Sequence, residues 1–270
     1  MTARASKPQG EITRGTTHPN RLRRMDRWIA HRAASVLRAQ PTATVVDLGF
    51  GRSPVTTLEL SDRLAERVGR RVPVVGLEID PERVSAAREW EREGVEFSLG
   101  GFEVPVPGPI AVIRAANVLR QYDEAQVRSA WSTMAARLTP GGILVEGTCD
   151  ELGRLGAWVT IVVSDAAVRA EPESLTFGVD LRTLGSPSDV AERLPKALIH
   201  RNVPGERIHE LLVAFDRAWT HAAPQGVFGP RQRWLAAVVT LQGLGWPVLG
   251  GPARWRLGEL SVRWEAVAPR

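Results

Sequence analysis

Two glycines and an acidic residue stand at the end of the first apolar run in the sequence. The run Thr44–Leu48 leads into Gly49 and Gly51, and Asp47 lies two residues before the first glycine. Glycines at this spacing let a backbone turn sharply after a strand and approach a ligand closely. Ser53 and Pro54 then predict the start of a helix, whose free amide groups would face a polar or anionic ligand group.

A second acidic residue ends the next apolar run, Val72–Ile79. The two carboxylate oxygens of Glu78 could accept hydrogen bonds from the two vicinal hydroxyls of a ribose. Asp80 stands just before Pro81 and is predicted to cap the following helix. Because the carboxyl ends of neighbouring parallel strands lie side by side, the glycine turn and Glu78 are predicted to converge on one nucleoside.

The same residues argue against a nicotinamide dinucleotide as the ligand. Its fingerprint requires a third glycine for close helix–strand packing, and this sequence has Pro54 at that position. The carboxylate of Asp47 would accept hydrogen bonds from the glycine-turn amides or approach a cationic ligand, whereas it would repel a pyrophosphate. A nicotinamide-dependent oxidoreductase is therefore the less favoured alternative.

Three motifs in consecutive order resemble those of the class I S-adenosylmethionine-dependent methyltransferases. Val45–Gly51 resembles the first motif of that family, Val74–Asp80 resembles the second, and Leu138–Val145 resembles the turn before its fifth strand. The resemblance implies an α/β fold with a Rossmann-like, mostly parallel, seven-stranded sheet and helices on both faces. It also implies that S-adenosylmethionine is the cofactor and lies over the ends of strands one, two and four.

The resemblance further implies which residues contact the cofactor. They are Asp47, Gly49, Phe50, Gly51, Arg52, Glu78, Ile79, Gly101, Phe102 and Asn117. Gly101 stands where the family usually has an acid beside the adenine, so backbone groups and Phe102 are predicted to contact the adenine instead. Arg120 and Tyr122 are predicted to border the acceptor pocket, and the alternative for Tyr122 is a buried hydroxyl bonded to the backbone.

Methyl transfer from a sulfonium releases a neutral leaving group, so positioning and desolvation can supply most of the rate. A base is needed only if the acceptor must lose a proton, and no residue is predicted to be catalytic. Glu146, Asp150 and Glu151 lie near the expected mouth of the site and are candidates for a base. The simpler interpretation of each is a solvated loop acid.

Basic charge is concentrated at the amino terminus. The whole chain has a net charge of +5, and residues 1–38 contain nine basic residues and two acids. This stretch could bind phosphates of nucleic acid or of a small substrate, or it could be a solvated helix face. Asn20 is predicted to cap a helix over Arg21–Ala39. Arg21, Arg24 and Trp28 are predicted to help close the site, and the alternative is a helix packed on the sheet with its arginines in water.

Alternating apolar runs and amphipathic stretches predict a parallel sheet in the first half of the chain. The predicted strands are Thr44–Leu48, Val72–Ile79, Val95–Leu99, Ile110–Ala115 and Ile143–Gly147, and the helices between them are Pro54–Val68, Pro81–Glu93 and Asp123–Leu138. The second half is predicted to contain strands Ala157–Ser164, Ser174–Leu181 and Arg256–Val267, and helices Glu206–His221 and Arg231–Leu241.

Residues 1–40 are predicted to form a basic arm and helix, and residues 41–182 the cofactor-binding core. Residues 183–270 are predicted to supply helices and a last strand that completes the sheet, as a candidate substrate cap.

Composition limits the class of protein. The single cysteine excludes a disulfide within one chain, and the spacing of the five histidines predicts no metal site. No apolar run approaches the ~20 residues of a membrane helix, and the amino terminus has no secretory signal. The sequence therefore predicts a soluble, cytoplasmic enzyme that methylates an unidentified acceptor, most simply a small molecule. The alternatives are a catalytically silent S-adenosylmethionine-binding protein and a nucleic-acid-directed methyltransferase that uses residues 1–38.

Overall fold

The computed structural model describes residues 8–13, 15–163 and 170–270. Its strands are β1 Thr44–Leu48, β2 Val74–Glu78, β3 Val95–Leu99, β4 Ile110–Ala116, β5 Ile143–Cys149, β6 Leu155–Val163, β7 Ala170–Val179, β8 Val248–Leu249 and β9 Glu259–Arg263. Its helices are α1 Arg23–Ala39, α2 Val55–Val68, α3 Pro81–Ala87, α4 Glu124–Ala135, α5 Lys196–Ile199, α6 Arg207–His221, α7 Pro230–Gly243 and α8 Pro252–Trp255. Ser164, the predicted end of a strand, and three basic residues of the predicted arm (Arg4, Lys7 and Arg14) lie outside the described residues.

All these strands form one sheet, in the order β3-β2-β1-β4-β5-β6-β7-β9-β8. Strands β1 to β5 are parallel to one another. The chain reverses its direction of winding between β1 and β4, which is the point where doubly wound sheets bind their ligands. The predicted parallel half is therefore confirmed, including its near-continuous burial.

Hydrophobic cores cover both faces of the sheet, as predicted. One core contains residues of α1, α2 and α3 packed on β1 and β2. The other contains residues of α4, α6 and α7 packed on the opposite face and on the antiparallel strands. The two cores fix the position of the parallel strands from both faces, and the candidate ligand-binding residues lie at the carboxyl edge of these strands.

The sheet has nine strands, so the predicted number of seven is wrong. Strand β6 follows β5 through a tight turn, in which Arg154 N donates to Asp150 Oδ1 at 2.7 Å, and no helix crosses between the two strands. The pairs β5–β6, β6–β7, β7–β9 and β8–β9 are all antiparallel. The short β8 was not predicted because a two-residue apolar run has no readable period.

Some helix boundaries also differ from those predicted. Asn20 does not cap α1: its backbone is left-handed (φ 62°), and its side chain accepts a hydrogen bond from Arg63. Asp80 does cap α3, because its Oδ1 accepts from Glu82 N at 3.0 Å. The predicted helix Pro81–Glu93 ends early, and a 3-10 turn, Arg88–Trp90, follows α3 directly.

The predicted last strand is shorter than Arg256–Val267. Strand β9 ends at Arg263, where a 3-10 turn begins. Since β9 pairs with β7, the last part of the chain contributes to the same sheet as the core. The division into three segments remains a prediction.

Candidate functional site

The glycine turn after β1 and the acid at the end of β2 lie together. Gly51 N donates to Glu78 Oε2 at 2.9 Å, and Ile79 N donates to Glu78 Oε1 at 2.9 Å. The Glu78 carboxylate is buried, and the guanidinium of Arg83 lies 3.6 Å from it. The two features that the sequence predicted to converge are thus in direct contact.

Both glycines of the turn have backbone conformations that other residues rarely adopt, with φ of 75° at Gly49 and 80° at Gly51. A Cβ atom on Gly49 would lie 2.8 Å from a methyl of Val118, and one on Gly51 would lie 2.9 Å from Gly15 O. The close approach of neighbouring chain segments therefore requires glycine at both positions.

A cavity of about 720 Å³ opens beside this turn, a volume typical of small-molecule sites. Six predicted site residues line it: Asp47, Gly49, Phe50, Gly51, Asn117 and Arg120. The other six predicted site residues, Arg52, Glu78, Ile79, Gly101, Phe102 and Tyr122, are not part of its lining. The structure therefore divides the predicted residues between an open cavity and a covered region next to it.

An amino-terminal segment (residues 9–13 and 15–17) covers that second region. Phe102 N donates to Gln9 O at 2.9 Å, and Arg52 N donates to Gly15 O at 3.1 Å. A Cβ on Gly101 would lie 2.0 Å from Gln9 O. Peptide groups of the amino-terminal segment therefore lie where the motif resemblance places the adenosine.

A carboxylate that the sequence analysis missed is present in the loop after β3. Glu103 Oε1 accepts from Gly101 N at 2.9 Å, and its Oε2 accepts from Gln9 N at 2.8 Å. The sequence analysis looked for an acid at position 101 and found glycine, but two residues later Glu103 folds back over the same amide. An acid within two residues of the expected position was the available signal.

The hydroxyl of Tyr122 accepts a hydrogen bond from Glu11 N, and the rings of Tyr122 and Phe102 are 5.3 Å apart. Burial raises the pKa of Tyr122. This placement corresponds to the alternative interpretation of Tyr122, a buried hydroxyl bonded to the backbone, here of the amino-terminal segment.

Asp47 belongs to a buried charged cluster that the sequence analysis missed. Arg114 lies opposite Asp47 in the register of β1 and β4, and its Nε donates to Asp47 Oδ1 at 2.8 Å. The same guanidinium binds Asp26 of α1, and Thr57 Oγ1 donates to Asp47 Oδ2 at 2.6 Å. Although burial alone would lower the pKa of Arg114, the carboxylates of Asp47 and Asp26 raise it. Asp47 thus fixes the base of the glycine turn through α1, α2 and β4.

Asn117 joins the ends of β4 and β5 at the wall of the cavity. Its backbone is left-handed, with φ 61°, a conformation that asparagine tolerates better than most residues. Cys149 N donates to Asn117 Oδ1 at 3.0 Å, and Asn117 N donates to Gly147 O at 2.7 Å.

The three candidate bases have different surroundings. Asp150 and Glu151 line the cavity. Glu146 is fully buried in β5 and accepts from Trp131 Nε1 of α4 at 3.3 Å, so its interpretation as a solvated loop acid is wrong. The predicted strand Ile143–Gly147 already contained Glu146, and in the structure α4 covers its side chain on that strand. Burial raises the pKa of Glu146 to about 8.

The three residues predicted to close the site also differ from one another. Arg21 lines the cavity and donates to Thr16 O and to Asp150 O. Arg24 donates to Gly153 O, and Trp28 packs against Trp158 of β6, with ring centroids 5.9 Å apart. Arg21 therefore connects the amino-terminal segment to the cavity, whereas the other two residues pack on the sheet.

In the part of the chain that the structure describes, no three histidine, cysteine, aspartate or glutamate side chains cluster in a way that could hold a metal ion. Within the same residues, no helix combines the length and the apolar character needed to cross a bilayer.

No family model matches this sequence, and no curated protein matches it. Solved structures do match part of the chain. One is a putative sarcosine dimethylglycine methyltransferase from Galdieria sulphuraria, with 19% identity, coverage of 52% of this chain and 55% of that chain, and a TM-score of 0.36. An O-methyltransferase family 2 protein from Planctomyces limnophilus, in complex with apigenin, has 21% identity, coverage of 44% and 37%, and a TM-score of 0.33.

Human N-acetylserotonin methyltransferase, in complex with SAM, has 17% identity, coverage of 44% of this chain and 33% of that chain, and a TM-score of 0.33. Each of these three structures carries the name of a methyltransferase, putative in the first case. The chain resembles the class I methyltransferases. It spans about a third to a half of the length of these three structures, and what they bind is a property of those proteins.

Proposed function

We propose that this chain is an S-adenosylmethionine-dependent methyltransferase that acts on a small-molecule acceptor. The observation that carries the proposal is the 2.9 Å hydrogen bond from Gly51 N to Glu78 at the edge of a cavity of about 720 Å³. A glycine turn and a carboxylate in contact at the switch point of a doubly wound sheet are suited to a nucleoside ligand with a polar tail.

The residues at this edge fit the parts of the cofactor. Glu78 offers oxygens to ribose hydroxyls, and the amides of the Gly49–Gly51 turn face the side where the methionyl group would extend into the cavity. The amide of Phe102 can donate to an acceptor nitrogen of the adenine ring. The carboxylate of Glu103 can accept from the adenine amino group beside it. In the structure these two groups bind Gln9 instead.

Cofactor binding therefore requires the amino-terminal segment to move. The nucleoside would replace Gln9 O at the amide of Phe102 and displace Gly15 O from the amide of Arg52. Ile12, the large apolar side chain among the described residues of the segment, is exposed. The segment is bound mainly through backbone hydrogen bonds, each worth about 1 kcal/mol net, so the free-energy cost of displacing it is modest.

When bound, S-adenosylmethionine supplies a methyl group on a sulfonium, whose sulfur keeps the electron pair as the carbon–sulfur bond breaks. The contribution of this chain is to position the acceptor and to exclude water. Asp150 and Glu151, which line the cavity, are available to accept a proton if the acceptor carries one. The Asp47–Arg114 pair holds the turn in place and is not available for proton transfer.

Calorimetry with S-adenosylhomocysteine tests the binding part of the proposal. Glu78→Ala is expected to weaken binding at least tenfold, since a carboxylate that accepts two hydroxyl groups is lost. Glu78→Gln keeps one oxygen for Gly51 N and should show a smaller loss. The matched control is Glu82→Ala, an exposed acid on α3, for which the affinity should not change. Equal affinity in the wild type and both Glu78 variants would show that the ribose assignment is wrong.

Transfer of a labelled methyl group tests the catalytic part. With a cell extract, label is expected in the small-molecule fraction. Label in the nucleic-acid fraction would favour the nucleic-acid-directed alternative. Binding of S-adenosylhomocysteine without labelling of any fraction would favour a catalytically silent binding protein.

A further inference from the structure

Two arginines line the cavity from opposite parts of the chain. Arg120 belongs to the 3-10 turn Leu119–Gln121 after β4, and Arg193 ends the 3-10 helix Pro187–Arg193. Among the residues that the structure describes, no carboxylate lies within ion-pair distance of either guanidinium. Both charges therefore face the cavity uncompensated by a direct partner.

The two guanidiniums are close enough to affect each other. Burial lowers the pKa of Arg120, the positive charge of Arg193 lowers it further, and the carboxylate of Glu192 opposes both effects in part. Like charges that share a partly enclosed cavity raise the free energy of the protein unless an anion lies between them.

Among the described residues, the acids near the cavity offset this excess only in part, since none of them forms an ion pair with Arg120 or Arg193; Glu151 lines the cavity, and Glu192 acts on Arg120 from a distance. Asp47 is already paired with Arg114. Asp150 accepts from the backbone of Arg154, and Arg21 adds a third guanidinium that donates only to backbone carbonyls. A carboxylate or phosphate in the cavity would be the first direct anionic partner of Arg120 and Arg193.

We propose that Arg120 and Arg193 bind an anionic group, a carboxylate or a phosphate, on the methyl acceptor. The inference rests on the proposed function, because it assigns the substrate class of that same cavity. Planar guanidiniums suit this task, since each can donate two parallel hydrogen bonds to a carboxylate or phosphate. Arg120 follows Asn117 by three residues, so this subsite adjoins the end of β4, next to the glycine turn.

Binding of small anions to the full-length protein tests the proposal. Calorimetry is performed with inorganic phosphate and, separately, with malonate, at constant ionic strength, both in the free protein and with S-adenosylhomocysteine at saturation. The variants are Arg120→Gln and Arg193→Gln, and the control is Arg217→Gln, an exposed arginine of α6 that does not line the cavity. Each cavity variant should weaken anion binding about tenfold, as expected for the loss of a charge-assisted hydrogen bond. The control should bind anions like the wild type.

The comparison of the two anions identifies the group. Tighter binding of phosphate indicates a phosphorylated acceptor, and tighter binding of malonate indicates a carboxylate. Unchanged affinity for S-adenosylhomocysteine and unchanged unfolding temperature show that the variants are folded.

Three results would overturn the proposal. One is anion binding that is equal in all four proteins, and another is no binding of either anion by the wild type. The third is anion binding that S-adenosylhomocysteine abolishes, which would mean that the arginines bind the carboxylate of the cofactor itself. Failure of S-adenosylhomocysteine to bind would instead contradict the proposed function, and the anion subsite would then be judged from the same variants in the free protein.

Discussion

At the scale of single residues, Arg114 connects three elements that carry the site. Its guanidinium is fully buried and binds Asp47 of β1, Asp26 of α1 and the carbonyl of Thr56 in α2. Arg63 adds a second cation at 2.6 Å from Asp26. The cluster therefore contains two carboxylates and two guanidiniums, and each buried charge depends on the others.

Arg114→Leu is expected to destabilise the protein by about 3–5 kcal/mol, because it leaves the buried carboxylate of Asp47 without its cation and leaves Asp26 with Arg63 alone. Adding Asp47→Asn to the same chain should restore part of this loss, since the uncompensated charge of Asp47 disappears. Unfolding in urea measures both variants. The control is Arg71→Leu, which breaks an exposed pair with Glu93 and should cost less than about 1 kcal/mol. An equal loss in both arginine variants would contradict the argument.

Glu146 makes the stability depend on pH. Its pKa is about 8 in the folded protein, against an ordinary value of 4.5, so the folded state holds a proton that the unfolded chain has released between these two pH values. The free energy of unfolding should therefore fall as pH rises from about 4.5 to about 8, by about 1.4 kcal/mol per pH unit from this group. Above pH 8 this contribution becomes constant.

Glu146→Gln should remove that dependence, because the amide is neutral at every pH. The difference in unfolding free energy between the variant and the wild type should grow from pH 6 to pH 8, with the variant the more stable at pH 8. Chemical denaturation at a series of pH values gives this difference. In Glu89→Gln, which replaces an exposed carboxylate, the difference should stay constant. A constant difference in Glu146→Gln as well would show that Glu146 is ionised in the folded protein.

At the scale of elements, the amino-terminal segment competes for groups that the proposed cofactor needs. It is held by Phe102 N, Arg52 N, Arg83 and the hydroxyl of Tyr122. Most of these bonds involve the backbone of the segment, so side-chain substitutions within it would change little. The hydroxyl of Tyr122 is the contact that a substitution removes most cleanly.

Tyr122→Phe is expected to bind S-adenosylhomocysteine about three- to tenfold more tightly than the wild type. The loss of one hydrogen bond, worth about 1 kcal/mol, weakens the segment in the state without ligand and lowers the cost of displacing it. Calorimetry measures the affinity. Ser132→Ala, which removes a hydroxyl bonded only within α4, serves as the control. Weaker binding in Tyr122→Phe would mean that the hydroxyl contacts S-adenosylhomocysteine, which neither interpretation of Tyr122 from the sequence predicts.

At the scale of the whole molecule, the parallel half could be predicted from sequence because its signals are local. Buried parallel strands are continuous apolar runs, and the glycines after β1 and the acid that ends β2 mark where these strands stop. The pairing of Asp47 with Arg114 was not predicted. The signal that could have indicated it is the single arginine, Arg114, within the apolar run of β4.

The antiparallel half was less predictable. The order of its strands depends on which edge of the sheet each hairpin joins. Packing between segments that are distant in sequence decides this choice. The position of the amino-terminal segment over Gly51 and Gly101 depends on backbone hydrogen bonds, which leave no pattern of side chains to read.

Most arginines that the structure describes in the basic amino-terminal stretch are bound within the protein, which limits its capacity to bind nucleic acid. Four of its arginines are bound to acceptors of the protein itself: Arg21, Arg24, Arg32 and Arg38. Of the arginines that the structure describes in residues 8–38, only Arg23 and Arg27 have no such hydrogen bond or ion pair. Few cations of this helix are therefore available for a row of phosphates.

We expect a chain lacking residues 1–7 to bind duplex DNA or RNA weakly. Phosphate contacts by Arg23, Arg27 and Arg14, which this chain keeps, correspond to a slope of log K against log salt concentration of about −3 at most, since each contact contributes about −0.9 for duplex DNA. Fluorescence polarisation between 50 and 200 mM salt (about the range over which such slopes are measured) gives the slope. The full-length chain, which keeps Arg4 and Lys7, shows what those residues add. A slope near −5 in the shortened chain would mean that the internal pairs of α1 open to bind phosphates, and it would favour the nucleic-acid-directed alternative over a small-molecule acceptor.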